Sequence, residues 1–187
     1  VIGGIGIFDN LSKIINMKTK KSGNIIIVIG KTFGHLNQSS FLKDIYLIND
    51  GPPPEINLTN EKNNGDSVSD LIKKNLVSSC HDISSGGILI ALAEMSMPSM
   101  LGLKINKPKR FTDLNEYFFA EDQGRYLIEI DQKDQKKVTD ILNKNAVHFD
   151  DLGTINEDQL YINDKTKVTI DELKTSNTSW LNNYMSK

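Results

Sequence analysis

A chain of 187 residues is long enough to bury a sizeable core, as one large domain or two small ones. Its 38% hydrophobic and 25% charged residues suit a soluble globular protein, and a formal net charge of -2 lacks the broad basic footprint that a nucleic-acid partner demands. No apolar run approaches the roughly 20 residues of a bilayer span, which argues against a membrane. No signal peptide is visible and the single Cys80 excludes an internal disulfide, so a reducing cytoplasm is the expected compartment.

The chain opens on Val1 instead of Met, inside an apolar Gly-rich stretch, and reads as a piece of a longer polypeptide. Residues 1–8 suggest a Gly-interrupted extended segment. They are not a dinucleotide fingerprint, because Asp9 stands where the third glycine after Gly4 and Gly6 belongs. Asp9 or Asn10 is placed to cap a short helix through Ile15, and residues 18–24 form a basic turn.

Residues 23–30 are a β-branched run without polar alternation, the pattern of a central strand covered on both faces. The following Gly30-Lys31-Thr32 is no P-loop, since Ile25 occupies the position of its first glycine. A short helix is expected from about Ser39, then a stiff polyproline segment, Asp50-Gly51-Pro52-Pro53-Pro54-Glu55, inside the domain. Val68, Leu71, Ile72 and Leu76 share one face of a helix over 66–76, with Asp66 or Ser67 as cap.

A buried strand over 77–83 feeds the most informative stretch, Cys80-His81-Asp82-Ile83-Ser84-Ser85-Gly86-Gly87. Ile88, Leu92 and Met95 then recur on one helical face. Paired glycines at a helix start let an anion approach bare amides, and Asp82 could hold a cation such as Mg²⁺ beside it. The same residues also fit a helix with a tight start, capped by Ser84 or Ser85.

Pro98 ends that helix, residues 101–106 form a strand and 107–112 a basic loop. Glu121-Asp122-Gln123-Gly124-Arg125 is a dense polar load before an alternating strand over 125–130. Glu121 or Asp122 could hold Mg²⁺, Gln123 could read a polar group and Arg125 could pair with phosphate. A turn carrying an Arg–carboxylate surface pair fits equally well. A helix around Val138, Ile141 and Leu142 follows, then strands at 152–155, 160–162 and 168–170 about an Asn163-Asp164 turn. Trp180 and Tyr184, at i, i+4, are expected to dock the last helix. His35, His81 and His148 show no metal-ligand spacing with Cys80, which reads as a small core residue. The expected fold is one α+β domain over 1–187, a mixed β-sheet with packed helices and a late hairpin.

Taken in order, Val1-Ile2-Gly3-Gly4-Ile5-Gly6, Asp50-Gly51-Pro52-Pro53-Pro54-Glu55, Cys80 to Gly87 with Ala91-Leu92-Ala93-Glu94, and Phe119-Ala120-Glu121-Asp122-Gln123-Gly124-Arg125 resemble one family across essentially the whole chain. It is the large subunit of the small, bacterial type of phosphoribosylformylglycinamidine synthase. The resemblance is to its last quarter, a C-terminal-type domain of the aminoimidazole-ribotide-synthetase superfamily. The closing Trp180-Leu181 and Tyr184-Met185 resemble an alphaproteobacterial form without a fused glutaminase.

The resemblance implies ATP and Mg²⁺ as cofactors of a purine-biosynthetic ligase. That ligase activates a carbonyl oxygen as an iminophosphate, which ammonia displaces. It implies as partners the remaining domains of the same synthetase, a glutaminase subunit and a small bridging subunit. The catalytic histidines of the family belong to the missing domains, so no catalytic residue is expected here, and the piece alone should be inactive. Asp82, Glu121 and Gln123 match the family's metal- and substrate-binding positions. With Ser84, Ser85, Gly86, Gly87 and Arg125 they should line an auxiliary cleft for ATP or ADP, with Asp82 on the metal. Leu36-Asn37-Gln38-Ser39-Ser40-Phe41 departs from the Gly-Gly-Ser-Glu-type run of many relatives. A pseudo-dimer scaffold with vestigial motifs, or another superfamily member such as aminoimidazole ribotide synthetase, are the alternatives. Separated from its partner domains, the chain should expose an apolar face near 1–8 and self-associate through it.

Overall fold

The five apolar residues of strand β1, Ile25–Ile29, divide alternately between two cores. Ile26 and Val28 face one, Ile25, Ile27 and Ile29 the other, and all five are buried. This is why the run shows no polar alternation: helices cover both sides. The computed structural model describes residues 3–7, 10–11 and 14–186. Val1, Ile2 and Phe8 of the expected apolar face, and the Asp9 cap, lie outside them.

Among the described residues, seven strands form one mixed sheet in the order β2-β4-β1-β5-β3-β6-β7. The other strands are β2 (Ser79–Asp82), β3 (Leu103–Ile105), β4 (Tyr126–Ile130), β5 (Phe149–Ile155), β6 (Gln159–Ile162) and β7 (Thr166–Thr169). Every pairing is antiparallel except that of β3 with β6. The β6–β7 hairpin turns through Asn163 and Asp164, both at positive φ, with Lys165 N donating to Ile162 O at 3.1 Å. That is the primed turn the strand twist favours.

On the Ile26/Val28 face lie α3 (Gly87–Ser96), α4 (Leu114–Phe118) and the first turn of α6 (Ile170–Met185). On the other lie α2 (Leu58–Lys73) and α5 (Gln135–Lys144). The short α1 (Ser40–Ile45), capped by Ser39, buries none of its residues. The α+β expectation thus holds, with three corrections.

First, α2 starts at an Asn57 cap whose side chain accepts from Asn60 N at 3.0 Å, well before the expected Asp66 or Ser67. Its first turns border a polar cleft and carry no apolar residue after Leu58 until Val68, so no apolar period marks them. Second, α4 is an element not expected between the 107–112 loop and the Glu121–Arg125 run, and it buries Tyr117 and Phe118. Third, Trp180 and Tyr184 stack on each other at 5.4 Å but are 65% and 64% exposed, so they do not dock α6. That helix is anchored by Ile170 and by a Thr169/Glu172 capping box.

A buried carboxylate at the heart of β4 ties the turn before β1 to the sheet. Glu129 accepts from Lys20 N (2.9 Å), Lys21 N (3.2 Å), Asn24 Nδ2 (2.7 Å) and Ser79 Oγ (2.7 Å). Four donors satisfy a charge that would otherwise be costly to bury.

Candidate functional site

Strand register brings four loops to one end of the sheet. Asp82 and Ile29 both pair with Tyr126, and Ile29 pairs with Phe149, so β1 and β2 end where β4 and β5 begin. The loop after β1 (30–39), the turn after β2 (83–87), the loop before β4 (119–125) and the turn before β5 (146–148) therefore meet. All eight residues singled out in the sequence lie at this end.

The glycine turn starts α3 as expected, but its cap is not a serine. Gly86 is the N-cap, at φ 81°, and Ser84 and Ser85 are exposed. The acceptor for Gly86 N comes from 35 residues along the chain: Glu121 Oε1, at 2.7 Å. Gly87 N donates to Ser84 O at 3.0 Å. Both glycine amides expected to face an anion are thus engaged within the chain, and an internal carboxylate complements the helix dipole. Gly87 has a second task. A Cβ there would lie 2.7 Å from both Phe118 O and Ala120 O, so a side chain would push α3 off the 118–120 loop.

The polar cluster divides into inward and outward members. Glu121 Oε1 also accepts from Ser40 N at 2.8 Å. Asp122, buried, accepts from Phe33 N (2.9 Å) and Gly34 N (3.1 Å). Gln123 is exposed and donates to Glu121 O at 3.3 Å. Arg125 is 1% exposed, its Nε on Asp122 O (3.0 Å), one terminal nitrogen on Thr32 Oγ1 (2.9 Å), the other on Ala120 O (2.7 Å). Burial lowers its pKa and the neighbouring Asp122 opposes that shift. The expectation that Arg125 pairs with phosphate fails on this placement: its guanidinium is an internal brace.

Asp82 is exposed. One oxygen lies 3.2 Å from His81 Nδ1, and His81 Nε2 lies 3.0 Å from Glu94 Oε2 on α3. Among the described residues no three His, Cys, Asp or Glu side chains gather as metal ligands. Asp82 therefore offers a cation one carboxylate and not a cage built by the protein.

Cys80 points to the opposite face from His81 and packs beside the α2/α5 core. Burial, and secondarily Asp82, push its thiol from 9.0 up to about 11. The neutral thiol is the favoured native form, so its contribution to stability is complete below pH 9.0 and is lost as pH rises through about 11. Iodoacetamide labelling of the native chain is expected to stay slow to about pH 9 and then accelerate. Rapid labelling at about pH 7.5 would contradict the burial of the thiolate-forming sulfur.

On the α2 side of the same sheet end lies a polar cleft of about 180 Å³, walled by Lys31, Asn60, Glu61, Gln123 and His148 among others. His148 Nε2 lies 3.3 Å from an Arg110 terminal nitrogen, which can only donate, so that ring nitrogen is the acceptor. Burial lowers the His148 pKa, with Asp150 opposing. Arg110 in turn grips Asp150 through two bonds of 2.6 Å, and Tyr117 donates its hydroxyl to Asp150 at 3.2 Å. Sequence spacing gave no sign of this group, whose members come from separate elements.

A helix-flanked mixed sheet whose loops converge on a glycine turn and an acidic loop defines an α+β domain with a polar cleft at one end of its sheet. The chain belongs to the family described as AIR synthase related protein, C-terminal domain, which matches residues 21–165. It is 50% identical over 184 residues to the phosphoribosylformylglycinamidine synthase subunit PurL of Pelagibacter ubique, covering 98% of this chain and 25% of that protein. It is 39% identical over 184 residues to the Bradyrhizobium diazoefficiens protein of the same name, again covering 98% of this chain and 25% of that protein. The chain thus spans about a quarter of the length of the curated relatives it matches. Among solved structures, Thermotoga maritima PurL complexed with FGAR shares the fold at a TM-score of 0.75, with 19% identity over 88% of this chain and 30% of that one. The same protein complexed with ADP gives 0.68, with 19% identity over 88% of this chain and 27% of that one.

Proposed function

We propose that this chain is the C-terminal part of the synthetase subunit of an ATP-dependent phosphoribosylformylglycinamidine synthase, a carbon–nitrogen ligase. The observation that carries this reading is the 50% identity to the Pelagibacter ubique subunit over 98% of this chain. In that reaction ATP phosphorylates the formylglycinamide carbonyl oxygen of the ribotide, and ammonia displaces the phosphate to leave an amidine. The barrier falls through positioning and charge neutralisation, with no protein nucleophile.

This chain's contribution is a wall of a nucleotide cleft and no catalytic residue. The exposed Asp82, Ser84, Ser85 and Gln123 face the ligand, with Asp82 as one contact to a nucleotide-borne Mg²⁺. Gly86, Gly87, Glu121 and Arg125 hold the wall in shape. The chain acts in the cytoplasm as a single domain, with the remaining synthetase domains, a glutaminase subunit and a small bridging subunit as partners. By itself it turns nothing over.

Replacing the matching quarter of the Pelagibacter ubique subunit with this chain tests the proposal. Such a chimera is expected to hydrolyse ATP in the presence of ribotide and ammonia within about tenfold of the parent. A folded, soluble chimera with no ribotide-dependent hydrolysis would overturn it. A second reading, that the domain is a scaffold for the rest of the synthetase, is favoured by Gly86 N and Arg125 being satisfied internally. Asp82→Ala in the chimera separates the two: retained nucleotide falling about tenfold supports the cleft, and unchanged occupancy supports the scaffold.

A further inference from the structure

The segment joining β1 to α2 is attached to the body in an unusual way. Its helix α1 buries no residue, and Ile45, Tyr46, Leu47 and Ile48 are exposed in succession at 67%, 55%, 87% and 47%. A six-residue helix has no stability of its own, and apolar side chains facing outward do not supply any. What holds the segment is the 119–122 loop. Phe41 stacks on Phe119 with centroids 4.5 Å apart and planes 12° from parallel. Glu121 N donates to His35 O at 3.2 Å, and Glu121 Oε1 takes both Ser40 N and Gly86 N. The adjacent Asp122 grips the base of the segment at Phe33 and Gly34. Two neighbouring carboxylates thus fasten it at two points, and one of them also fastens α3.

We propose that residues 36–48 form a strap latched against the start of α3 by Glu121, and that Glu121 is the positioning residue of this end of the sheet. A single oxygen atom joins the strap, the 119–125 loop and the glycine turn. Withdrawal of the Glu121 carboxylate therefore frees Ser40 N and Gly86 N at the same moment. The strap and the turn move as one unit, while the sheet, whose two cores contain no residue of 36–48 among their buried members, stays folded.

Amide hydrogen exchange followed by NMR on the whole chain tests the latch. Ser40 and Gly86 are expected to exchange at matching rates. In Glu121→Ala both should speed up by about tenfold or more, while Ile27 and Leu127 keep their protection. In Glu121→Gln, whose amide oxygen accepts without charge, both should rise together by a smaller factor, about two- to fivefold. Limited proteolysis should cut first within 45–48, faster in the order Glu121→Ala, Glu121→Gln, parent. Unchanged protection at either amide in Glu121→Ala, or separate responses of the two, overturns the proposal. Should Glu121→Ala fail to fold, the Glu121→Gln rates decide alone: a paired rise supports the latch, and parent-like rates overturn it.

Discussion

Arg125→Ala is expected to lower the unfolding free energy by about 4 kcal/mol, and Arg125→Lys by about 3 kcal/mol. The side chain is fully enclosed, and its three donors serve Asp122 O, Ala120 O and Thr32 Oγ1, which lie in different directions. Truncation strips all three acceptors of their partner and leaves a void. Lysine keeps the charge but presents one compact ammonium, which cannot reproduce the planar fork. Urea denaturation followed by far-UV circular dichroism measures both. Midpoints that put either variant within about 1 kcal/mol of the parent would remove the brace from the account and reopen a ligand role for Arg125.

Gly87→Ala is expected to cost about 3 kcal/mol, more than Gly86→Ala at about 1–2 kcal/mol. Both positions have positive φ, 69° and 81°, so either alanine is strained. They differ in what the added methyl meets. At Gly87 it meets main-chain oxygens of Phe118 and Ala120 at 2.7 Å, which move only if α3 moves. At Gly86 it meets only the Ile90 side chain one turn on, Cγ1 at 2.3 Å and Cβ at 2.8 Å; Cγ1 turns away with χ1, and a small shift within the first turn of α3 relieves Cβ without moving a second element. The same urea titration ranks them without any ligand present. An equal or reversed ranking would mean that close helix packing is not what demands glycine at 87.

The sequence carried the fold wherever burial follows a period. The unbroken apolar run of β1 predicted a strand covered on both faces, and two separate cores cover it. It failed where an element faces something polar: the first half of α2 borders the cleft, so its Asn-rich turns looked like loop. The place of the site was legible from the paired glycines and the Glu121–Arg125 run, because turn chemistry is local. The roles were not, since they depend on partners distant in sequence. Glu121 reaches back 35 residues to Gly86, and Arg125 reaches back 93 to Thr32. Nothing local distinguishes Arg125 or Glu129 from surface charges, which is where such residues ordinarily sit. Trp180 misled for the converse reason, its helical spacing with Tyr184 being fulfilled by the pair themselves.

The chain has a single tryptophan, and it is 65% exposed and stacked on Tyr184 in the last turns of α6. Its emission is expected to be red-shifted already in the native state, so a fluorescence titration should record the loosening of that stack and be nearly blind to the sheet. A fluorescence midpoint earlier than the dichroism midpoint would thus report the peeling of α6 and not a populated folding intermediate.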